Sequence, residues 1–423
     1  MNTGSPTPLA TLPLALFLLL SSSLEVMAQE RRPLEVDDMF SIERVGSPVI
    51  SGDGDWIAYA VGETSLEEEK SETRIWMVAA EGGDAVPMTA AGGSVGSPQW
   101  SPDGKYLSFT ASREDSTNQV WVLDRRGGEA RQLTEVEQGV GSYRWSPDGS
   151  RLLLSVRDPD PEDTWSKDKE NAPKAPWVID RLQFKRDGTG YLTGNRHTHL
   201  YTFDIETKGL TQITSGDHGE SQAVWSPDGR YVAFVSNRTA EPDGNSNSDI
   251  WVVAADNTDM GQTLLQVTTN AGSDSSPAWS PDSEWITYVT VVEPELIWYA
   301  PSHLAVISSD GGEPTLLTRE MDRRVGTPRF TEDGKGIIFR LEDSAENHLA
   351  WISVDGSKVE RMIEGPLSVG SFDVGPDGMI ATVLATLDRP NEIYVGTGDD
   401  LERVTKTNDE FLDGIELAEV KNV

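Results

Sequence analysis

Apolar and polar residues alternate along most of this chain in short runs separated by polar turns. Lys105-Tyr106-Leu107-Ser108-Phe109-Thr110 is one such run, and Arg230-Tyr231-Val232-Ala233-Phe234-Val235 is another. A second kind reads Gln119-Val120-Trp121-Val122-Leu123-Asp124, with counterparts at Asp249-Ile250-Trp251-Val252-Val253 and His199-Leu200-Tyr201-Thr202-Phe203-Asp204. A period of two puts successive side chains on opposite faces of a strand. No helical period of useful length competes with it. A last short strand closes most units on a threonine: Thr89, Thr134, Thr214, Thr268, Thr318 and Thr405.

One turn punctuates these runs. It is written in full as Trp100-Ser101-Pro102-Asp103-Gly104, from Trp145 through Asp148 to Gly149, and from Trp225 through Asp228 to Gly229. It degenerates at Trp279-Ser280-Pro281-Asp282-Ser283. Weaker copies surround Asp53, Asp333-Gly334 and Asp377-Gly378. Proline presets φ at the second turn position and glycine accepts positive φ at the last. The repeated aspartates lie 44–54 residues apart, except for a gap of 80 between Asp148 and Asp228. A fixed period with four short strands per unit predicts an all-β chain folded as a β-propeller. Seven repeats give seven blades of four antiparallel strands, with six or eight as alternatives. The aromatic ring beside each turn is expected to fill the wedge between neighbouring sheets, a structural role rather than ligand stacking.

Composition narrows the function. Asp+Glu number 70 against 35 Lys+Arg, a formal charge of −35. Such a surface repels phosphates, so nucleic acid is not an expected partner, and anionic lipid is disfavoured in the same way. The absence of cysteine removes disulfides, thiolate metal sites and a cysteine nucleophile. No cofactor is expected. At the amino terminus the apolar run Leu9–Leu20 is followed by serines and by Ala28. This predicts a signal peptide over 1–28, cut before Gln29, although the n-region lacks Lys and Arg. An uncleaved anchor and a buried helix are the alternatives. The run is short for a membrane span, and no stable membrane insertion is expected after cleavage.

The Trp-Ser-Pro-Asp-Gly repeats, with the Ile-Trp-Val-Val strand downstream, resemble those of TolB-type propellers and of the propellers of prolyl-oligopeptidase-type serine peptidases. Residues 176–192, PWVIDRLQFKRDGTGYL, lead to His199-Leu200-Tyr201. They are similar to a third-blade segment of the acylaminoacyl-peptidase-like branch. The resemblance spans residues 36–423. It implies a propeller over 29–405 that filters peptides for an α/β-hydrolase domain, with 406–423 as the connector toward it. In such a hydrolase the serine sits in a G-x-S-x-G elbow, followed by Asp and His. No α/β alternation remains in this chain, so no catalytic residue is carried over. The expectation is a non-catalytic, substrate-gating propeller of an exported peptidase, periplasmic or extracellular. Its partners would be peptides or the hydrolase domain, and other proteins if it oligomerises. A standalone protein-binding propeller of the TolB type is the main alternative. A propeller enzyme working at its central channel is a third, made less attractive by the presence of only five histidines.

Four further constellations carry candidate chemistry. Gly92-Gly93-Ser94-Val95-Gly96 matches the elbow literally, but it lies between a strand end and a turn and is expected to be a connector. Asp243, Asn245, Asn247 and Asp249 alternate as oxygen ligands for calcium would, yet Ser248 and Ala254 stand where an EF-hand-like loop wants Gly and Glu. A polar hairpin tip is the competing reading. His197 and His199 share one strand face, which suits a metal, but no third ligand is evident, and His303 and His348 recur at the same repeat position. Glu67-Glu68-Glu69 invites comparison with the paired glutamates by which dipeptidyl-peptidase relatives hold a substrate amino terminus. Its surroundings do not match that motif, and a solvated loop is expected. The insertion Asp158–Ala175, rich in proline and charge, reads as an exposed lid or linker.

Overall fold

The computed structural model describes residues 31–113, 116–159, 179, 181–187, 190–191 and 196–420, together with Met1, Thr3 and Gly4. The expected signal peptide, most of the Asp158–Ala175 insertion and much of 176–192 lie outside the described residues.

The period-two runs form strands, and the strands form a β-propeller. Among the described residues there are seven successive antiparallel meanders of four strands each; the last two are joined by a single bridge, Asn347 to Ser368. Their first strands are Arg44–Ile50, Val95–Trp100, Ser142–Trp145, Ser221–Trp225, Asp274–Trp279, Arg324–Phe330 and Leu367–Val374. Several first strands pack against those of neighbouring meanders, Arg44–Ile50 against Val95–Trp100 and Leu367–Val374, and Asp274–Trp279 against Ser221–Trp225 and Arg324–Phe330, which puts this row of strands on the inside of the ring.

The repeated turn works as a hydrogen-bonded knot. Ser101 Oγ donates to Asp103 Oδ1 at 2.5 Å and accepts from the Tyr106 amide at 3.0 Å. Asp103 Oδ1 in turn accepts from the Lys105 amide at 3.1 Å. The same knot recurs at Ser146–Asp148 and Ser226–Asp228. Gly104 and Gly149 take φ of 65° and 70°, the left-handed region a side chain disfavours. In the seventh copy Gly375 replaces the serine, so the knot is lost and Pro376–Gly378 becomes a short 3-10 turn.

The tryptophan before four of the turns ties one meander to the one before it. Trp100 Nε1 donates to Val49 O at 3.2 Å, Trp225 Nε1 to Arg144 O at 3.3 Å and Trp279 Nε1 to Val224 O at 3.4 Å. Trp145 Nε1 reaches back to Ser108 Oγ at 2.8 Å. The rings pack in clusters that draw on both meanders: Trp279 lies among Ala233, Ile250 and Val252 of one, and Ile286, Tyr288 and Ala305 of the next.

The terminal threonines form a second repeated device. The amides of Ile75, Val120, Leu200, Ile250, Leu304 and Ile393 donate to Thr89, Thr134, Thr214, Thr268, Thr318 and Thr405 Oγ1, at 2.8–3.0 Å. Where an acceptor stands nearby, the hydroxyl then donates onward: Thr134 to Gln119 Oε1 at 2.8 Å, Thr405 to Glu392 Oε2 at 2.5 Å. Each buried hydroxyl thus satisfies a strand amide that the short fourth strand leaves without a partner. Thr134→Val keeps the shape, orphans the Val120 amide and removes the donor to Gln119. It is expected to lower stability by about 1–3 kcal/mol, read from the urea midpoint.

Among the described residues no strand is exchanged between the first and last meanders to close the ring. The first and last meanders each come from one continuous segment and meet through a shared core. Val45, Ile57, Tyr59 and Val61 pack there on Val383, Ile393, Val395 and Val404. The Glu43 amide donates to Asn408 Oδ1 at 2.9 Å, and Asn408 Nδ2 donates back to Glu43 O at 3.0 Å. Beyond them Arg32–Pro33 pairs in parallel with Ile415–Glu416. The segment expected as a connector from residue 406 is therefore docked on the ring through residue 416.

Candidate functional site: the inner face of the ring

The inner strands bend. Register shifts fall between Gly46 and Val49, Gly96 and Gln99, Ser221 and Val224, Ser275 and Ala278, Gly326 and Arg329, and Val369 and Phe372. Within them Ser47, Ser97, Gln222, Ser276 and Thr327 adopt φ of 52–54°. Five non-glycine residues in the left-handed region at one repeat position form a ring of strained bulges, which re-aim the side chains that follow. Neighbouring bulges touch: the Ser47 amide donates to Ser371 Oγ at 3.2 Å, and the Ser276 amide to Gln222 Oε1 at 2.5 Å.

Immediately before the repeat aromatic, this inner row reads Val49, Gln99, Arg144, Val224, Ala278, Arg329 and Asp373. Four of the seven are polar. Gln99 Nε2 donates to Tyr143 O at 2.6 Å, and Asp373 Oδ2 accepts from the Ile50 amide at 2.9 Å. Arg329 Nη1 donates to its neighbour Pro328 O at 3.0 Å. The Arg144 guanidinium is exposed to solvent and donates to nothing among the described residues. Asp373, from the seventh meander, lies within electrostatic reach of Arg144 from the third and Arg329 from the sixth, as their shared position on the inner strands of the ring allows. Enclosure by protein lowers the pKa of both arginines, and Arg329 is lowered further by Arg144. Enclosure raises that of Asp373 against the pull of the Ile50 amide and both cations. At this level of the ring's centre two arginines thus stand against one carboxylate, inside a strongly acidic molecule. These residues were not singled out in the sequence. The available signal was the repeat alignment, in which a position that is apolar or small in three copies turns charged in three others.

The sequence-derived candidates lie elsewhere. Ser94 is exposed in the connector before the strand Val95–Trp100, and its hydroxyl donates to Ser71 O at 3.5 Å. A strand follows it, not the helix an elbow requires. Glu67, Glu68 and Glu69 cap the long hairpin Trp56–Ser65 and Lys70–Ala79 and are exposed.

The calcium candidates do not converge. Asp243 accepts from the Leu182 and Gln183 amides, and Asn245 Oδ1 from Asn237 Nδ2 at 2.9 Å. Asn247 lies against the Gly272 and Asn270 carbonyls, while Asp249 is buried against Gln266 and Thr268. Among the described residues no group of three or more His, Cys, Asp or Glu could hold a metal ion.

His199, His303 and His348 are all buried near the start of third strands. His199 Nδ1 lies 2.9 Å from Glu220 Oε2, and Arg238 Nη2 donates to Glu220 Oε1 at 2.5 Å. Burial opposes a charge on His199, but Glu220 and Asp158 outweigh it and raise the pKa. One meander further on, the same junction holds two acids, Asp249 and Asp274, with no basic partner. Asp274 is fully buried, and neither of its carboxylate oxygens accepts a hydrogen bond of ordinary length. Burial, with a contribution from Asp249, pushes its pKa up to about 6, although Thr268, Thr290 and Asn270 lie close by.

No family model matches the chain. It is 29% identical over 402 residues to the uncharacterized peptidase YuxL of Bacillus subtilis, which covers 90% of this chain and 60% of that protein. Among solved structures, the Pyrococcus horikoshii acylaminoacyl peptidase superposes with a TM-score of 0.70 at 18% identity, over 92% of this chain and 56% of that one. The β-propeller domain of the Trilobed protease from Pyrococcus furiosus, described as having an open velcro topology, gives 0.60 at 18% identity. That match covers 87% of this chain and 97% of that domain. The chain is thus similar in sequence to a peptidase and in fold to the propeller part of such enzymes. It spans less than two thirds of the length of the whole peptidases it matches.

Proposed function

We propose that this chain is the propeller of an exported serine peptidase of the prolyl-oligopeptidase type, admitting peptides to a hydrolase domain that carries the catalytic serine. The observation that supports this most is the similarity to a peptidase along 90% of the chain. The propeller fold is compatible with the gating role, because its four-stranded sheets surround a central channel through which short peptides would pass more readily than folded proteins. Export is inferred from the apolar run before Ala28.

The test uses the purified chain, blocked and unblocked aminoacyl and short-peptide chromogenic substrates, and a serine-reactive phosphonate label. The expected result is neither turnover nor labelling by these 423 residues. Joining the chain to the hydrolase domain of a similar peptidase is expected to give cleavage of short peptides over proteins. Labelling of the chain alone, lost in Ser94→Ala, would overturn the proposal.

A further inference from the structure

We propose that the inner face of the ring carries a carboxylate-binding site, in which Arg144 and Arg329 together receive the free carboxylate of a peptide inside the channel. This deepens the gating proposal above and rests on it for the identity of the ligand.

Three observations converge. Arg144 and Arg329 occupy one repeat position, on inner strands of the third and sixth meanders, and Asp373 holds the same position on the seventh. Their donors are largely unspent: Arg144 has no hydrogen-bond partner among the described residues, and Arg329 has only the Pro328 carbonyl. Asp373 does not neutralise the pair. It forms no ion pair within 4.0 Å with either arginine among the described residues, and its Oδ2 is held by the Ile50 amide. Two guanidiniums against one engaged carboxylate leave one net positive charge to be answered.

A guanidinium offers forked N–H donors that match the two oxygens of a carboxylate, and protein walls strengthen that pairing relative to open water. The rest of the molecule makes the choice of ligand sharper. At a formal charge of −35 its field repels anions, so a small inorganic anion has little reason to accumulate. A peptide, drawn in by its neutral body and its amino group, can deliver one carboxylate to the one positive ring.

Calorimetric titration of the purified chain with tri-alanine, as the free acid and as its C-terminal amide, tests the site directly. The free acid is expected to bind at least about tenfold tighter than the amide, the scale of one charge-assisted hydrogen-bonded pair. The preference should vanish in R144Q/R329Q, persist in weakened form in R144K/R329K, and grow in D373N. Thermal melts of each variant separate loss of the site from loss of the fold. Equal binding of acid and amide, a preference that survives in R144Q/R329Q, or no binding of either form overturns the site. Because this readout involves no hydrolysis, such a failure leaves the peptidase reading to be decided by the labelling and domain-joining experiment.

Discussion

Trp225→Ala is expected to lower stability by about 3–5 kcal/mol, the range for removing a large buried aromatic side chain. The ring is 8% exposed and sits among Leu153, Leu200 and Ile213 of the third meander and Val232, Phe234 and Val253 of the fourth. Alanine would leave a void shared by two sheets, neither of which can collapse without dragging its own inner strand. It would also leave Arg144 O without the indole donor and the Arg151 guanidinium without the face it stacks on at 5.0 Å. Trp225→Phe separates these effects, because it keeps most of the packing and loses the hydrogen bond. The phenylalanine variant should fall between the wild type and the alanine variant in urea midpoint. A loss below about 1 kcal/mol for alanine would contradict the interlocking role, since ordinary surface changes already reach about 0.5 kcal/mol.

Asp274→Asn is expected to stabilise the protein above neutral pH. The sign follows from proton uptake. The folded pKa of Asp274, about 6, stands above the unfolded value near 3.8, so the folded state holds the proton through that interval. Stability then falls as pH rises from 4 to 6 and stays reduced above it. A shift of about two units corresponds to about 3 kcal/mol, to be read as an order of magnitude because Asp249 titrates beside it. Asparagine removes the charge and keeps the shape. The variant should gain about 2–3 kcal/mol over the wild type at pH 8 and lose that advantage by pH 4. Urea midpoints measured at several pH values decide the matter. A difference between the two proteins that does not change with pH would mean that burial of charge at Asp274 is not the cause. His199, Glu220 and Arg238 show the same junction solved with opposite charges, which is why the acid at 274 stands out rather than the one at 220.

The strands and turns were legible because they repeat. Alternation at Lys105–Thr110 or Arg230–Val235 is a local signal, and the turn at Trp100–Gly104 carries its own chemistry in its residues. The threonine endings were visible too, but not their purpose: Thr134 meets Gln119 and the Val120 amide only after the third and fourth strands pair. The channel residues were hidden for a related reason. Arg144 lies between Tyr143 and Trp145 in a run that reads as one more inner strand. Nothing local says that it will face Asp373, which lies more than two hundred residues away in sequence. The calcium motif shows the converse. Alternation from Asp243 to Asp249 is compatible with a shared centre or with a polar hairpin tip, and the chain carries Asp249 into a strand and leaves Asp243 at a hairpin tip. Spacing along a chain predicts convergence only when the backbone between the ligands wraps around one point.

The manner in which the ring closes bears on how the molecule is made. Each meander comes from one stretch of chain, so its strands can pair as soon as they leave the ribosome, at the small entropic cost of short loops everywhere but the third, where the insertion separates Arg151–Arg157 from Thr198–Asp204. Apart from the two-residue pairing of Arg32–Pro33 with Ile415–Glu416, no early strand has to stay exposed while it waits for a late partner, as it would if the first and last sheets shared one. The long-range cost is concentrated in one event, the meeting of Glu43 with Asn408 across 365 positions of chain. Assembly is therefore vectorial until its final step, and the seam is the youngest joint in the ring.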